Sequence, residues 1–440
     1  MKRHWTQLKP EIRQVWKLSL PAILTQLTTI IMQYIDSAMV GALGAEASAS
    51  IGLVASSTWV LHGITYAVSA GFSVQVAHHV GANALGKAKN VVRHGLLAAL
   101  VLAGLLGLFG MVISGALPVW LGGDVTIQKD VAAYFFVFAL VLPFFQLNDM
   151  CSTFLQCSGD MVTPSVLNGT MCALDVVFNA IFIPIYGVLG AAIGTGLACV
   201  VISLIMLWRC CVTNEKLRLP GSEKGSFSFG ILKKAFRIGL PVAVQEAAMC
   251  GAMVASTAII APLGPVAVAA HSFAITAESL CYMPGYGIGA AATALVGRHI
   301  GAKENVLAKR CGNICTAMGG IFMGITGLVM AVACPLVFMF LTPDQRVRDL
   351  ATEVLRIGLI AEPLFGVSIV AAGALRGTGD TLAPSVMNLA SIWIVRIVLA
   401  LALVPALGLQ GMWIAMAVEL CVRGGLMLYR QKTSKYYKCA

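Results

Sequence analysis

Twelve long apolar runs separated by short polar segments constrain the fold of this chain more than any other feature of its sequence. A helix needs about 20 residues to cross the hydrocarbon core of a bilayer. Helices and closed barrels are the structures that span bilayers, and these runs lack the short alternating pattern of barrel strands. The sequence therefore predicts an all-α polytopic membrane protein with 12 transmembrane helices. The predicted spans are 14–40, 50–77, 92–118, 130–155, 163–184, 187–209, 235–262, 265–297, 310–340, 350–375, 383–405 and 409–430.

The small share of charged residues excludes a water-soluble enzyme. Charged residues make up 11% of the chain and hydrophobic residues 58%, whereas about 25% of the residues in soluble proteins are charged. The net charge of +11 does not indicate a nucleic-acid partner, because no segment forms a compact basic domain. Lysine and arginine in cytoplasmic loops explain it instead. The lipid bilayer is therefore the expected surrounding partner.

The distribution of positive charge predicts how the chain is oriented in the membrane. With the N-terminus inside, the inside segments hold most of the 30 lysine and arginine residues, Arg423 among them. The outside segments hold Lys129, Arg346 and Arg348. Positive residues collect on the cytoplasmic side of membrane proteins. We therefore expect a multi-pass protein of the plasma (inner) membrane with both termini in the cytoplasm.

The two halves of the chain repeat each other with an offset of 220 residues. Examples are Leu-Ser-Leu-Pro at 18–21 with Ile-Gly-Leu-Pro at 238–241, and Pro164-Ser-Val-Leu-Asn168 with Pro384-Ser-Val-Met-Asn388. Six spans per half is an even number, so both halves face the same way, as in parallel-repeat transporters. We predict an N-lobe over 1–212 and a C-lobe over 235–440, each a bundle of six helices. A flexible cytoplasmic linker at 213–234 joins them.

Several motifs resemble those of multidrug and toxic compound extrusion (MATE) transporters, in matching order over nearly the whole chain. They are Leu20-Pro21, Asp36-Ser-Ala-Met-Val-Gly41-Ala-Leu-Gly44, Val80-Gly81-Ala82, the Gly-Asp-x-x-x-Pro turns at 159–164 and 379–384, and Ala371-Ala-Gly-Ala-Leu-Arg376-Gly377. The resemblance implies a V-shaped pair of six-helix lobes. It also implies multidrug efflux, in which small cationic, lipophilic compounds leave the cell in exchange for sodium ions or protons.

Two acidic residues within spans are the first candidates for ion coupling. Charged groups inside a bilayer are costly and usually functional, and the resemblance implies that Asp36 is an ion-coupling carboxylate. Asp175 lies four residues before Asn179, whereas the family usually has the asparagine first and the aspartate second. Residues four apart share one face of a helix, so the charge of the site is kept. Asn179 and Thr195 offer neutral oxygens that suit a sodium ion or a proton-linked hydrogen-bond network.

Asp36 and Asp175 are candidate sodium ligands and would titrate as a pair in one apolar cleft. A proton, a sodium ion or a cationic compound would then compete for the same negative charge. Binding of the ion is expected to bend or repack the first helix near Pro21 and to expel the compound. The candidate substrate contacts are the adaptable apolar side chains next to the acidic positions, Met32, Tyr34 and Phe178.

The second half has charged residues of its own within spans. Glu246 and Glu278 are secondary candidates for ion coupling, and Arg396 is interpreted as an ion-pair partner rather than a substrate contact. At an offset of 220, Asp175 and Arg396 each correspond to a valine. The motif residues are thus repeated at the offset of 220, whereas these charged residues are not. This is expected if the two lobes share their packing but differ in chemistry.

Two histidines also lie within predicted spans. We interpret His62 and His271 as packed, hydrogen-bonded side chains rather than proton relays. Histidine changes charge near neutral pH, which makes a relay the alternative.

Two other functions are the alternatives to a multidrug antiporter. A lipid-linked saccharide flippase of the same superfamily needs basic residues in its cleft to hold pyrophosphate, whereas these spans hold more acids than bases. A membrane-embedded enzyme or receptor is not favoured, because the loops are short and the sequence shows no Ser/His/Asp or metal-ligand cluster. The sequence has no phosphate-binding loop for ATP. We expect no cofactor besides the coupling ion, no enzymatic activity, and a monomer.

Overall fold

The computed structural model describes residues 2–219 and 227–434, and this part of the chain is built of helices without strands. Among the described residues, eleven helices are long and apolar enough to cross a membrane, and a bent pair of shorter helices is a twelfth candidate span. The all-α polytopic fold is therefore confirmed. The α-helices are α1 (Lys2–Gly41), α2 (Ala45–Gly81), α3 (Leu85–Ile113), α4 (Leu117–Trp120), α5 (Gln128–Ser158), α6 (Val162–Tyr186), α7 (Val188–Trp208), α8 (Phe229–Ile260), α9 (Pro265–Gly301), α10 (Asn305–Leu341), α11 (Gln345–Leu359), α12 (Glu362–Thr378), α13 (Leu382–Ala390), α14 (Val398–Leu407) and α15 (Leu409–Thr433).

The predicted span at 350–375 is a pair of helices rather than one straight helix. The axes of α11 and α12 are bent by 56° with respect to each other. The chain turns at Ala361, whose N–H donates to the carbonyl of Gly358 at 2.9 Å. Pro363 lies in the first turn of α12, where its missing N–H leaves no helical hydrogen bond unmade. The prediction of a single helix over this range is wrong for that reason.

Two compact units make up the chain. One comprises Met1–Leu27 and Val244–Ala440, and the other comprises Thr28–Ala243. Helices α1 and α8 therefore each contribute residues to both units. We refer to Thr28–Ala243 as the N-unit and to the remainder as the C-unit. The lobe boundaries expected from the sequence stay a prediction.

The predicted linker is partly anchored where the structure describes it. Residues 220–226, its Pro- and Gly-containing centre, lie outside the described residues. Before that gap, Leu217 is fully buried. Lys216 Nζ donates to the carbonyl oxygen of Ser158 at 2.9 Å, and Asn214 Oδ1 accepts from the backbone N–H of Lys216 at 3.1 Å. This end of the linker is therefore packed onto the end of α5.

Backbone conformation shows the internal repeat independently of residue identity. The left-handed residues Asn83 (φ 53°) and Lys303 (φ 62°) are separated by 220 residues. The same offset separates Gly159 (φ 103°) and Gly379 (φ 89°), which end α5 and α12 with a left-handed turn. Such turns supply partners for the last carbonyl groups of a helix. The two halves thus share their helix ends as well as their sequence motifs.

The offset becomes 221 residues before the last span of each half begins. Gly187 (φ 60°) corresponds to Gly408 (φ 58°). A Cβ at Gly190 would collide with the carbonyl oxygen of Phe182, and one at Gly411 would lie 2.6 Å from that of Leu403. These are the same close helix–helix contact, displaced by the larger offset. One extra residue therefore lies between the end of α12 and the end of α14.

A π-helical turn at Ser391–Ile397 lies in this interval, between α13 and α14. A π-turn accommodates one extra residue because its hydrogen bonds run from residue i to i+5. The expectation of a uniform offset of 220 is therefore wrong beyond this turn. At the larger offset Asp175 corresponds to Arg396 and not to Val395, so the two halves carry opposite charges at this position.

Candidate functional site

Three of the four predicted ion-coupling residues come together in the N-unit. The Asn179 side chain on α6 donates from Nδ2 to Asp36 Oδ1 on α1 at 2.8 Å. The same amide nitrogen lies 3.3 Å from Asp175 Oδ1, one turn earlier on α6. The carboxyl groups of Asp36 and Asp175 are close enough to interact electrostatically with each other. A single amide thus bridges two carboxylates on neighbouring helices.

The oxygen atoms of this cluster are buried and incompletely hydrogen-bonded. Asp175 and Asn179 are each 0% exposed, and Asp36 is partly buried. Within the described part of the chain, Asp175 Oδ2 and Asn179 Oδ1 have no hydrogen-bond partner. Burying such acceptors without a partner is unfavourable, and two neighbouring carboxylates repel each other. A proton or a small cation at the carboxyl groups would reduce their repulsion and give Asp175 Oδ2 a partner, so the geometry suits cation binding. The reversed order of Asp175 and Asn179 leaves both groups in the cluster.

Tyr134 of α5 belongs to this site and was missed by the sequence reasoning. Its phenol is close enough to Asp36 and Asp175 to interact electrostatically with both carboxyl groups. Its ring packs against the apolar cluster that includes Ile183. The one sequence signal for it is the repeat, because Tyr134 corresponds to the apolar Val354. A phenol can donate a hydrogen bond, so Tyr134 adds a donor to a group of acceptors.

Thr195 is near the cluster but not hydrogen-bonded to it. It is partly buried on α7 and, among the described contacts, makes no side-chain hydrogen bond to Asp36, Asp175 or Asn179. The preceding residue, Gly194, is the one that touches the site. A Cβ at Gly194 would collide with the Asn179 amide oxygen. The absence of a side chain at 194 is therefore what lets α7 close on Asn179.

Replacing Gly194 with alanine is expected to displace Asn179 and impair ion coupling. Overpacking of this kind costs about 1–3 kcal/mol, and the displaced amide would no longer bridge Asp36 and Asp175. Thermal unfolding of the purified variant and ion-driven efflux from vesicles would measure the two effects. Gly169→Ala on α6 is the matched control, since a Cβ there meets no atom within 4 Å. Equal stability and activity of both variants would contradict the assignment.

The three candidate substrate contacts have different surroundings. Met32 is buried in an apolar cluster with Met171 and Ile202, and Phe178 packs against the same cluster. Phe178 also lies 6.5 Å from the ring of Phe182, measured between ring centres. Tyr34 is partly buried and is not a member of this cluster. Their contact with a transported compound stays a prediction.

Helix α1 continues through Pro21 without interruption. Thr25 Oγ1 donates to the carbonyl oxygen of Pro21 at 3.1 Å. Proline has no N–H, so one helical hydrogen bond is missing in the preceding turn. Pro21 belongs to the C-unit and Asp36 to the N-unit. The weakened turn therefore lies on the same helix as Asp36 but in the other unit.

The acidic candidates of the second half do not form one site. Glu246 on α8 is partly buried and accepts from Gln245 Nε2 at 3.3 Å. Glu278 on α9 is buried next to Glu362 at the start of α12, and their carboxyl groups interact electrostatically. Both Glu362 oxygens lack a hydrogen-bond partner among the described residues. Of the two predicted residues, Glu278 is the one that joins a buried charged group.

Arg396 is ion-paired within the C-unit. Its Nη2 lies 2.6 Å from Glu419 Oε2, and Arg423 Nε lies 3.1 Å from Glu419 Oε1. Ser391 Oγ donates to the same carboxylate at 2.8 Å. The π-turn brings Ser391 and Arg396, five residues apart, to one side of the helix. We refer to Glu419, Arg396 and Arg423 as the Glu419 triad.

The triad corrects one prediction and adds two residues that the sequence reasoning missed. Arg423 was expected on the cytoplasmic side, but it lies inside α15 and is buried. Glu419 was not singled out at all. The sequence signal for both was Glu419 four residues before Arg423 within an apolar run, because such pairs meet on one helix face.

The two histidines have different environments. His271 is buried and its ring packs edge-on against Trp413 at 5.9 Å. His62 on α2 is exposed. The interpretation of His62 as a packed side chain is therefore wrong, because the surface of α2 at this point is not covered by a neighbouring helix.

A family model described as MatE matches residues 21–181 and again residues 241–402. The second matched stretch is one residue longer, in agreement with the π-turn. The chain is similar to a probable multidrug resistance protein NorM of Thermotoga maritima, with 28% identity over 98% of this chain and 94% of the relative. A protein of the same name from Idiomarina loihiensis is 27% identical over 99% of this chain and 97% of its own length.

Solved structures match the fold over almost the full length. A mutant of the Vibrio cholerae MATE transporter VcmN has a TM-score of 0.92 and 18% identity, and the match covers 98% of this chain and 99% of that one. A transporter of the MOP superfamily from Pyrococcus furiosus has a TM-score of 0.91 and 20% identity, with coverages of 96% and 95%. At this level of identity the likeness concerns the fold.

Proposed function

The chain belongs to the MatE family, and from this premise we propose that it is a secondary active multidrug efflux antiporter. It exchanges Na+ or H+ for small cationic, lipophilic organic compounds by alternating access of its two lobes. The names of the NorM relatives support multidrug efflux. Members of this family are transporters rather than enzymes, and MATE transporters are ion-coupled. We propose that transport needs the coupling ion and no other cofactor.

The cluster of Asp36, Asn179 and Asp175 is the observation that carries this proposal. Burying two acidic groups inside one bundle of apolar helices costs free energy, and acidic groups kept at such positions usually have a function. The Asn179 amide holds both carboxyl groups close together, 2.8 Å and 3.3 Å from its nitrogen. Asp175 Oδ2 is buried there without a donor among the described residues. This arrangement favours a small cation over a neutral or anionic ligand.

Exchange results from competition for this charge. A proton or sodium ion that enters the cluster neutralises it and weakens its attraction for a cationic compound. A membrane potential of 100 mV favours inward movement of each positive charge by about 2.3 kcal/mol. Helix α1 carries Asp36 in one unit and Pro21 in the other. We propose that the turn at Pro21 absorbs the rearrangement that occurs when Asp36 gains or loses its cation.

The remaining features of the proposal concern place and assembly. We propose a location in the plasma membrane with both termini in the cytoplasm, since NorM relatives and the excess of inside lysine and arginine favour it. We propose that a monomer suffices for transport. The flippase alternative is not favoured, because Arg396 and Arg423 are both ion-paired with Glu419 rather than available to pyrophosphate.

Efflux from vesicles with an imposed ion gradient tests the proposed function. Proteoliposomes that contain the full chain and ethidium are expected to release the dye faster when Na+ or H+ is more concentrated on the acceptor side. A sodium gradient and a pH gradient, applied separately, identify the ion. Collapse of the gradient by the matching ionophore should abolish the acceleration. A rate of ethidium release that is the same with and without either gradient would contradict ion-coupled exchange.

A further inference from the structure

A second buried polar cluster lies in the N-unit, where α2 packs against α5. Its members are Asp149 and Gln146, one turn apart on α5, and Ser69 on α2. Gln146 Nε2 donates to Ser69 Oγ at 3.0 Å. The Ser69 hydroxyl is close enough to the Asp149 carboxyl group to interact with it. The ion-coupling cluster described above does not use any of these residues.

Two acceptor oxygens in this cluster lack a donor. Asp149 Oδ2 and Gln146 Oε1 are inaccessible to solvent and have no hydrogen-bond partner among the described residues. Gln146 is 1% exposed, and the bond from its nitrogen to Ser69 fixes which side of the amide carries the free oxygen. Burial of unpaired acceptors is unfavourable in a protein and more so in a membrane. A bound group that donates a hydrogen bond or carries positive charge would satisfy both oxygens.

The chemistry of the free atoms selects a small cation. Carboxylate, amide and hydroxyl oxygens are hard ligands of the kind that alkali and alkaline-earth cations prefer, and a carboxylate also accepts a proton. His62 on α2 is close enough to Asp149 to interact electrostatically with its carboxyl group. His62 is exposed, and ionisable side chains in spans face water-filled cavities rather than lipid.

The cluster is well separated from the first one. Tyr134, which marks the Asp36 site on α5, and Asp149 are about 22 Å apart along that helix at about 1.5 Å per residue. Sites at such a distance respond independently to substitution.

We propose that Asp149, with Gln146 and Ser69, forms a second small-cation site in the N-unit, occupied by a proton or by Na+. Each transport cycle then exchanges cations at two carboxylate sites rather than one. The role in transport rests on the proposed antiport, but occupancy of the site does not.

Infrared difference spectroscopy on the full chain in lipid nanodiscs tests occupancy without any transported compound. One comparison replaces choline with Na+ at constant pH, and the other changes the pH between about 5 and about 8. Asp149→Asn is expected to remove part of the carboxyl signal in one of the two comparisons, and which one identifies the ion. Asp130→Asn is the matched control, since Asp130 is an exposed residue in the first turn of the same helix.

The outcomes separate this site from the first one and from failure to fold. Asp36→Asn should remove a different part of the signal, and the double variant should lose the sum. If Asp149→Asn does not fold, Gln146→Leu keeps the carboxylate, and we expect it to weaken cation binding about fivefold or more. Spectra of Asp149→Asn that superimpose on those of the wild type in both comparisons would overturn the proposal, as would an unchanged midpoint in Gln146→Leu. Neither result depends on ethidium efflux.

Discussion

Replacing Asp36 with asparagine is expected to reduce ion-driven efflux to the level of protein-free vesicles. Asparagine keeps the shape of the side chain but removes one negative charge from a site that is built of acceptors. The amide of Asn179 would lose its hydrogen bond to a charged oxygen at 2.8 Å. A charged hydrogen bond contributes about 1.5–3 kcal/mol, and the cation loses its attraction to the carboxylate in addition. We therefore expect the loss of coupled transport to exceed about 100-fold.

The control for this substitution is Asp130→Asn, which changes the same charge at an exposed position. It should leave ethidium efflux unchanged. Size-exclusion chromatography of the purified variants would show that both remain folded. If Asp36→Asn still transports ethidium in response to an ion gradient, Asp36 is not the coupling carboxylate, and the mechanism proposed for α1 is wrong.

Replacing Glu419 with glutamine is expected to destabilise the protein more than any other substitution considered. Glu419 is fully buried and pairs with Arg396 at 2.6 Å and with Arg423 at 3.1 Å. Removing its charge leaves the buried Arg423 and the partly buried Arg396 without their ion-pair partner. The loss of one partner from a buried ion pair costs about 3–5 kcal/mol. The temperature of irreversible unfolding of the purified protein would measure this loss.

Glu353→Gln is the comparison for this experiment. Glu353 is an exposed glutamate of α11 whose Oε1 accepts from Gln410 Nε2 at 2.7 Å. Its substitution should change stability little, because exposed polar pairs contribute about 0–1 kcal/mol. Similar unfolding temperatures for the two variants would mean that the arginines find other partners, and the triad would then not be the stabilising element of the C-unit.

Much of the fold could be predicted from the sequence because hydrophobic length and the internal repeat are strong signals. Asp36, Asp175 and Asn179 were identified as candidates for a related reason: polar groups are conspicuous in apolar spans. The bend between α11 and α12 was missed, since hydropathy reports that a run is apolar but not that it turns at Ala361 and Pro363. The hydropathy of a segment does not indicate where its helix axis changes direction.

The sequence did not indicate those residues whose importance depends on their neighbours in the folded protein. Gly194 is one of 45 glycines, and its importance comes from the Asn179 oxygen opposite it. Tyr134 is distinguished by its distance to two carboxyl groups, not by its own sequence neighbours. Glu419 and Arg423 lie near the end of the last span, where charges were attributed to the cytoplasmic side. In each case the missing information was which helix faces which.

The π-turn at Ser391–Ile397 has a consequence for how duplicated transporters diverge. A π-turn absorbs one additional residue within itself, so the helix faces before and after it keep their packing partners, as the matching contacts of Gly190 and Gly411 show. The side chains inside the turn are the ones that change position. In this chain the first copy presents Asp175 at the position where the second presents Arg396. Insertion, as well as substitution, can give two descendants of one ancestral half opposite electrostatic character.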